Sequence, residues 1–259
     1  MSKHPRFFID PSQVNGTKIV VTGDDLRHIR TVLRKEPGDL LTLLDGRGAE
    51  YTARISVAGR DEILCDVVEQ EKHELPGPHI TLGQGIAKSD KMDWIVQKVT
   101  ELGVSTVIPL VTERTIVKVK DEEKRIGRWQ KIAREAAMQS RRLDVPMVGE
   151  ITKFSRFLEL PLLRPSLARG EQEGSGSLPS GTLKLLPWEE GTRPLKEVLQ
   201  SAPAATHIVV LIGPEGGFST AEAASAQDKE FLAVSLGRNI LRTETAAIVA
   251  LAVIGYEYK

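Results

Sequence analysis

The 259-residue sequence is poor in cysteine and in aromatic side chains, and it carries no net charge. Its single cysteine, Cys65, excludes an intramolecular disulfide and a cysteine-rich zinc site. The five histidines are scattered without metal-ligand spacing, so we expect no metal. Lys and Arg number 35, as do Asp and Glu, so the overall charge does not indicate a nucleic-acid partner.

Long apolar runs are also absent from the sequence. None reaches the roughly 18 residues that a membrane helix requires, and no signal peptide is visible at the start. We therefore expect a cytoplasmic protein with no membrane partner. Cys65 lies within the apolar run 63–68, which predicts a small buried hydrophobic residue in a strand.

The pattern along the chain predicts two domains. Residues 1–72 contain several short β-patterned segments and one helical segment, which is typical of a small barrel. Residues 73–79 include Pro76-Gly77-Pro78 and have the composition of a linker. From Ile80 to residue 259, strand and helix patterns alternate, which predicts an α/β domain with a parallel sheet. The Gly- and Ser-rich stretch at 168–181 is typical of a surface loop or an insertion.

The last helical segment, 246–254, is apolar on every side. Such a helix must be covered all round, which leaves two interpretations open. It is either a central core helix or a helix at a subunit interface, where its alanines permit close approach.

Two glycine-bearing loops follow short strands of the second domain. The β-branched run His207–Ile212 ends at Gly213-Pro214, and the run Ala233–Leu236 ends at Gly237. Ligands bind at the carboxyl ends of strands in open α/β sheets, and a third loop begins at Pro187 after another predicted strand. The spacing fits neither a dinucleotide fingerprint nor a P-loop. On spacing alone, tight turns without a ligand fit equally well.

The two loops nevertheless resemble a paired signature of the SPOUT methyltransferases. The matching segments are Ile212-Gly213-Pro214-Glu215-Gly216-Gly217 and Leu236-Gly237-Arg238-Asn239-Ile240-Leu241-Arg242-Thr243-Glu244-Thr245-Ala246. More narrowly, the sequence is similar to the ribosomal RNA small subunit methyltransferase E family, which methylates N3 of a uridine in 16S rRNA. The similarity extends to Arg6-Phe7-Phe8 and to most of the chain, and it is weak only at about 160–183.

This resemblance implies a fold and a set of partners. It implies a PUA-like RNA-binding β-barrel over 1–72 and a SPOUT domain over 80–259 whose C-terminal part forms a trefoil knot. It also implies S-adenosyl-L-methionine as the methyl donor, a homodimer, and 16S rRNA of the small ribosomal subunit as the substrate.

The donor needs apolar contacts and hydrogen bonds for its adenine, together with small residues that let the backbone approach. The loops and the strand ends that precede them provide this mixture. The residues expected to bind the cofactor are Leu186, Pro187, Leu211, Ile212, Gly213, Pro214, Glu215, Gly216, Gly217, Leu236, Gly237, Arg238, Ile240, Leu241 and Thr243. We expect Glu215 to fix its loop by hydrogen bonds rather than to act as a base.

The acceptor side requires a group that takes the N3 proton or stabilises charge on the flanking carbonyls. Arg242 and Glu244 follow the second loop, and Arg6 belongs to the matching N-terminal motif, so these three are the candidate catalytic residues. The alternative for Glu244 is a favourable interaction with the dipole at the start of a helix.

Local charge indicates an RNA-facing surface. Residues 86–142 contain 13 Lys or Arg against 8 Asp or Glu, although a solvated helix face would give the same pattern. The family resemblance, which covers Arg114, Gln139 and Arg142, favours the RNA-facing surface. The residues expected to contact RNA are Arg6, Arg34, Lys91, Arg114, Gln139 and Arg142. Two other functions stay open: a SPOUT methyltransferase acting on tRNA or on a ribose 2′-O, and a non-catalytic RNA-binding ribosome-assembly factor.

Overall fold

The computed structural model describes residues 4–75, 77–88, 90–116, 121–160 and 181–258. They form two compact units. One unit takes in the chain up to Leu75 together with Ala137–Val145, and the other takes in Pro76–Ala136 and the chain from Pro146 onward. The domains predicted from sequence placed 137–145 with the second domain. The Gly- and Ser-rich stretch lies, as far as residue 180, outside the described residues.

The first unit is mostly β, as predicted. Its sheet has the order β1-β4-β5-β6-β3-β2, and every pair is antiparallel except β1 with β4. The strands are β1 (Arg6–Phe8), β2 (Val14–Asn15), β3 (Lys18–Val21), β4 (Leu40–Leu44), β5 (Ala49–Ala58) and β6 (Ile63–Lys72). Helix α1 (Gly23–Arg27) continues into a π-helical turn at His28–Val32, and a 3₁₀ turn covers Pro11–Gln13.

Alternation along β5 builds the core of this unit. Tyr51, Ala53 and Ile55 point inward, because successive side chains of a strand face opposite sides of the sheet. Cys65 of β6 is fully buried among them, and burial, with a smaller contribution from the charge of Asp66, raises the pKa of its thiol to about 12. The prediction of a small buried residue in a strand is confirmed.

The second unit is built on a parallel sheet, which confirms the predicted α/β class. The strand order is β10-β8-β7-β13-β11-β14-β12, with β9 paired to β8. The strands are β7 (His79–Gly85), β8 (Thr106–Val111), β9 (Met147–Val148), β10 (Thr152–Lys153), β11 (Thr182–Pro187), β12 (Arg193–Pro194), β13 (His207–Ile212) and β14 (Leu232–Ser235). The helices are α2 (Lys91–Glu101), α3 (Glu122–Gln139), α4 (Phe154–Phe157), α5 (Leu195–Gln200), α6 (Thr220–Asp228) and α7 (Thr243–Glu257).

The strand order brings the glycine-bearing loops together. β13 and β14 follow each other along the chain, yet they lie on opposite sides of β11. Because all three strands are parallel, the loops that leave their carboxyl ends share one edge of the sheet. The trefoil knot implied by the resemblance stays a prediction.

Two histidines face each other at the amino ends of the central strands. His79 begins β7, His207 begins β13, and their rings pack edge to face at 5.1 Å. His207 Nε2 also lies 3.0 Å from the Thr81 hydroxyl. Burial, followed by repulsion from His79, holds the pKa of His207 below its usual value.

Helix α7 is covered on one side only. Ala247, Ala250, Leu251 and Ile254 are buried in the main core of the unit, whereas Tyr256 is 78% exposed. Ala252, on the same outer side, is also exposed. The interpretation of α7 as an entirely enclosed core helix is therefore wrong for the single chain. Within the described ranges, no helix is both long enough and apolar enough to cross a membrane.

Candidate functional site

Three loops at the carboxyl edge of the parallel sheet enclose one cavity. They follow β11, β13 and β14, and the cavity measures about 460 Å³, which lies within the range of small-molecule sites. Its walls are Lys91, Pro187, Trp188, Glu189, Ile212, Gly213, Pro214, Glu215, Gly216, Gly217, Phe218, Ser235, Leu236, Gly237, Arg238, Asn239, Ile240, Leu241, Arg242, Thr243 and Ala246.

Most residues expected to bind the cofactor lie in these walls. The two that do not are Leu186 and Leu211. Both are fully buried and belong to an apolar cluster with Phe157 and Phe218. Both strands are covered on their two faces, so these side chains pack into the protein interior and support the loops from within.

Hydrogen bonds fix the first loop. One Glu215 carboxylate oxygen accepts from the Lys88 amide at 2.9 Å and lies 3.5 Å from the Lys91 ammonium. Burial alone would raise the pKa of Glu215, but backbone hydrogen bonds and the charge of Lys91 outweigh burial and lower it. These contacts agree with the expectation that Glu215 fixes its loop by hydrogen bonds. Arg114 Nη1 donates to the Gly216 carbonyl at 2.8 Å, so this arginine also holds the loop.

A capping box begins α6 directly after the first loop. The Ser219 hydroxyl accepts from the Glu222 amide at 3.2 Å, and the Glu222 carboxylate accepts from the Ser219 amide at 3.0 Å. The second carboxylate oxygen of Glu222 accepts from the Glu113 amide at 2.8 Å. The loop is therefore anchored both to α6 and to the segment that follows β8.

The second loop has an unusual backbone. Gly237 has a φ of +129°, a conformation that residues with a side chain rarely adopt. The Ser235 hydroxyl accepts from the Gly237 amide at 3.2 Å and donates to the Gly237 carbonyl at 3.1 Å. Arg242 ends the loop, lines the cavity and is exposed. Within the described part of the chain, its guanidinium makes no hydrogen bond or ion pair.

A lysine connects the first loop to the start of α7 electrostatically. Lys91, at the start of α2, lies 3.5 Å from the carboxylates of both Glu215 and Glu244. Glu244 occupies the first turn of α7, is largely buried and does not line the cavity. Lys91, which we expected to contact RNA, thus bridges an acidic group of the first loop and an acidic group in the first turn of α7.

Comparison with known proteins identifies the family. Residues 73–255 match the family described as RNA methyltransferase domain, and residues 21–68 match the RNA methyltransferase PUA domain. The ribosomal RNA small subunit methyltransferase E of Bacillus subtilis is 32% identical over 92% of this chain and 89% of its own length. The chain belongs to the ribosomal RNA small subunit methyltransferase E family.

Other members of the methyltransferase E family agree with this assignment. The Synechocystis member is 35% identical over 96% of this chain and 76% of its own length. A crystal structure of the Neisseria gonorrhoeae member, bound to S-adenosyl methionine, has a TM-score of 0.79 and 32% identity. That match covers 96% of this chain and 95% of the other. The resemblance drawn from the two loops is confirmed, as are the α/β fold and the N-terminal PUA-like domain.

Four residues expected to contact RNA lie in the PUA-like unit of this methyltransferase E family member. Arg6 donates to the carbonyls of Arg141 and Arg142, both at 3.4 Å. Arg142 forms a bidentate ion pair with Asp144, at 3.0 and 2.6 Å. Both arginines therefore hold the 137–145 segment within their own unit. By contrast, Arg34 and Gln139 are exposed.

Sequence reasoning left several cavity residues unassigned: Trp188, Glu189, Phe218, Ser235, Asn239 and Ala246. Trp188 and Glu189 lie in the third loop, whose position after a strand was already a signal. Asn239 and Ala246 lie within the matching motif, whereas Phe218 and Ser235 carried no signal of their own. Among the residues that the structure describes, no three His, Cys, Asp or Glu side chains are grouped to hold a metal ion.

Proposed function

We propose that this protein is an S-adenosyl-L-methionine-dependent methyltransferase that methylates N3 of a uridine in 16S rRNA of the small ribosomal subunit. The observation that carries the proposal is the cavity formed by the paired glycine-bearing loops in a member of this family. The names of the relatives support an rRNA substrate, and the donor bound to the Neisseria relative supports the cofactor. The proposed substrate also implies activity in the cytoplasm.

The residues in the cavity fit such a donor. Leu236, Leu241 and Ala246 offer apolar contact, while Gly213 and Gly237 leave backbone accessible without a side chain. Glu215, whose lowered pKa keeps it ionised near neutral pH, adds a negative charge that suits a cationic sulfonium. When bound, the donor supplies the reactive methyl group, so no nucleophilic side chain is required of the protein.

The chain's own contribution is orientation and charge stabilisation. The anchored loops fix the cavity walls. Fixed walls would hold the methyl donor in a defined orientation toward the uridine, which lowers the entropic cost of methyl transfer. Arg242 lines the cavity and has no partner among the described side chains, so its guanidinium is available to a uracil carbonyl beside N3. Glu244 is paired with Lys91, so we assign it to positioning of α7 and Lys91 rather than to proton abstraction.

We also propose a division of labour among the residues of the PUA-like unit. Arg34 and Gln139 are exposed and available to RNA. Arg6 and Arg142 act through the segment that they hold, because their guanidinium groups are engaged by carbonyls and by Asp144. The basic character of such a surface would make RNA binding dependent on salt.

We further propose a homodimer formed through α7. One face of this helix is apolar and uncovered in the single chain, and it includes Ala252 and Tyr256. A second copy would cover this face with the same residues, as a two-fold interface requires. Sedimentation velocity at micromolar concentration tests this, and a monomer would contradict it.

The activity is tested with small ribosomal subunits from a strain that lacks this protein. Labelled methyl transfer, followed by mapping of the product, should place the label on N3 of a 16S rRNA uridine. Label on a ribose or only on tRNA would favour another SPOUT activity. Absence of donor binding in calorimetry would favour a non-catalytic assembly factor.

A further inference from the structure

A fully buried glutamine lies behind the cavity, outside both loops. Gln84 is near the end of β7 and does not line the cavity. Its amide nitrogen donates to the Gly85 carbonyl at 2.9 Å and to the Thr243 hydroxyl at 2.9 Å. The Gly85 carbonyl oxygen can only accept a hydrogen bond, so the Gln84 amide nitrogen, and not its oxygen, must face it. The same nitrogen then donates to the Thr243 hydroxyl.

The orientation of the amide determines the direction of the next hydrogen bond. Because the Thr243 hydroxyl accepts from Gln84, its own proton is available to the Gly213 carbonyl, which lies 2.6 Å away. Gly213 begins the first loop, and Thr243 begins α7 at the end of the second. A single hydroxyl therefore joins the two loops that enclose the cavity.

Close packing leaves the first loop little freedom at this point. A methyl group on Gly85 would overlap the nitrogen of Pro214, so the end of β7 lies directly against the Gly213-Pro214 peptide. The carbonyl oxygen of Gln84 is buried and has no hydrogen-bond partner among the described residues. Burying an unsatisfied polar atom destabilises a fold, so stability alone does not account for an amide here.

We propose that Gln84 is a positioning residue for the donor site. It sets the direction of the Thr243 hydroxyl and so fixes the spacing of the two loops. This inference rests on the proposed binding of S-adenosyl-L-methionine in the cavity. Gln84 would thus affect donor affinity from β7, although no residue of β7 lines the cavity.

The test compares variants that remove or keep the hydroxyl. Thr243→Val preserves the shape of the side chain but cannot donate to Gly213, and Gln84→Met cannot direct the hydroxyl. Each is expected to weaken S-adenosyl-L-methionine binding about five- to tenfold in calorimetry, the effect of losing one hydrogen bond. Thr243→Ser keeps the hydroxyl and should recover most of the affinity lost in Thr243→Val.

The double variant separates a relay from independent packing effects. If Gln84 acts through Thr243, the second substitution should add no further loss. The double variant Gln84→Met with Thr243→Val should then bind S-adenosyl-L-methionine with the same affinity as the single variant that binds it less tightly. If Gln84→Met fails to fold, Gln84→Leu takes its place, since leucine also has no donor for the Thr243 hydroxyl and is no larger than glutamine.

Two results would overturn the inference. If Gln84→Met and Thr243→Val both kept the wild-type affinity for S-adenosyl-L-methionine and only melted at a lower temperature, these hydrogen bonds would stabilise the fold without positioning the donor. Fully additive losses in the double variant would show that the two side chains act separately. Failure of the wild-type protein to bind the donor would instead refute the proposed function itself, so the two failures are distinguishable.

Discussion

Gly237→Ala tests whether the strained backbone of the second loop matters for donor binding. A Cβ atom at Gly237 would meet no atom within 4 Å, so steric overlap with the protein is not the issue. The cost comes from the φ of +129°, which a residue with a side chain tolerates poorly, by about 1–3 kcal/mol. In the donor-free protein this cost is relieved if the loop rotates and gives up its hydrogen bonds with Ser235.

Donor binding must then restore the strained loop, so the cost appears as lost affinity. At about 1.4 kcal/mol per factor of ten, the dissociation constant should rise about five- to 150-fold. Calorimetry with S-adenosyl-L-methionine measures this rise directly.

Gly38→Ala is the matched control. Gly38 also has a positive φ, +99°, and an open Cβ position, but it lies in the PUA-like unit. It should lower the melting temperature without changing donor affinity. If Gly237→Ala kept the wild-type donor affinity and its melting temperature fell only as far as that of Gly38→Ala, the conformation of the second loop would not control donor binding.

Four further predictions each concern a single side chain. Arg242→Ala should lower the methyl-transfer rate by about 10²-fold with donor affinity nearly unchanged, whereas full activity would remove Arg242 from the mechanism. Arg114→Met, which loses the hydrogen bond to the Gly216 carbonyl, should weaken donor binding about fivefold in calorimetry, and a loss seen only in RNA binding would contradict this role. Because the fold lowers the pKa of His207, its neutral form stabilises the protein above about pH 6.5, and this stability is lost as pH falls through the folded pKa. Between about pH 7 and 5.5, the melting temperature of His207→Gln should therefore fall less than that of the wild-type protein. Tyr256→Asp should shift sedimentation from dimer toward monomer, since it places a charge on the uncovered face of α7.

The loops were predictable because their signals are local. A β-branched run that stops at Gly213-Pro214 marks a buried strand and its end, and Ser219 with Glu222 marks the start of a helix. These patterns depend on neighbours a few residues apart, so they are legible in a single sequence. The structure confirms the strand, and Ser219 and Glu222 form a capping box at the start of α6.

Roles that depend on distant partners were not predictable in the same way. Gln84 and Thr243 are 159 positions apart, and nothing near either residue indicates their contact. Arg114 was expected to face RNA on the grounds of local charge and the family resemblance, yet its partner is a carbonyl 102 positions away. Residue type and local charge cannot distinguish a guanidinium that binds a substrate from one that holds a loop. The place of 137–145 in the first unit was not predictable either, because the contacts of this segment with Arg6 span 135 and 136 positions of the chain.

The arrangement of the chain also sets when each part can be completed during synthesis. The first unit includes Ala137–Val145, so it cannot close until the ribosome has made the chain as far as Val145, well beyond the last strand of its sheet, β6 (Ile63–Lys72). Apart from Lys91, every described residue that lines the cavity lies within 187–246. At about 5–20 residues per second, the donor site forms several seconds after the PUA-like sheet has been made. A nascent chain that already displays its PUA-like strands thus has no means of binding the methyl donor until α7 has emerged.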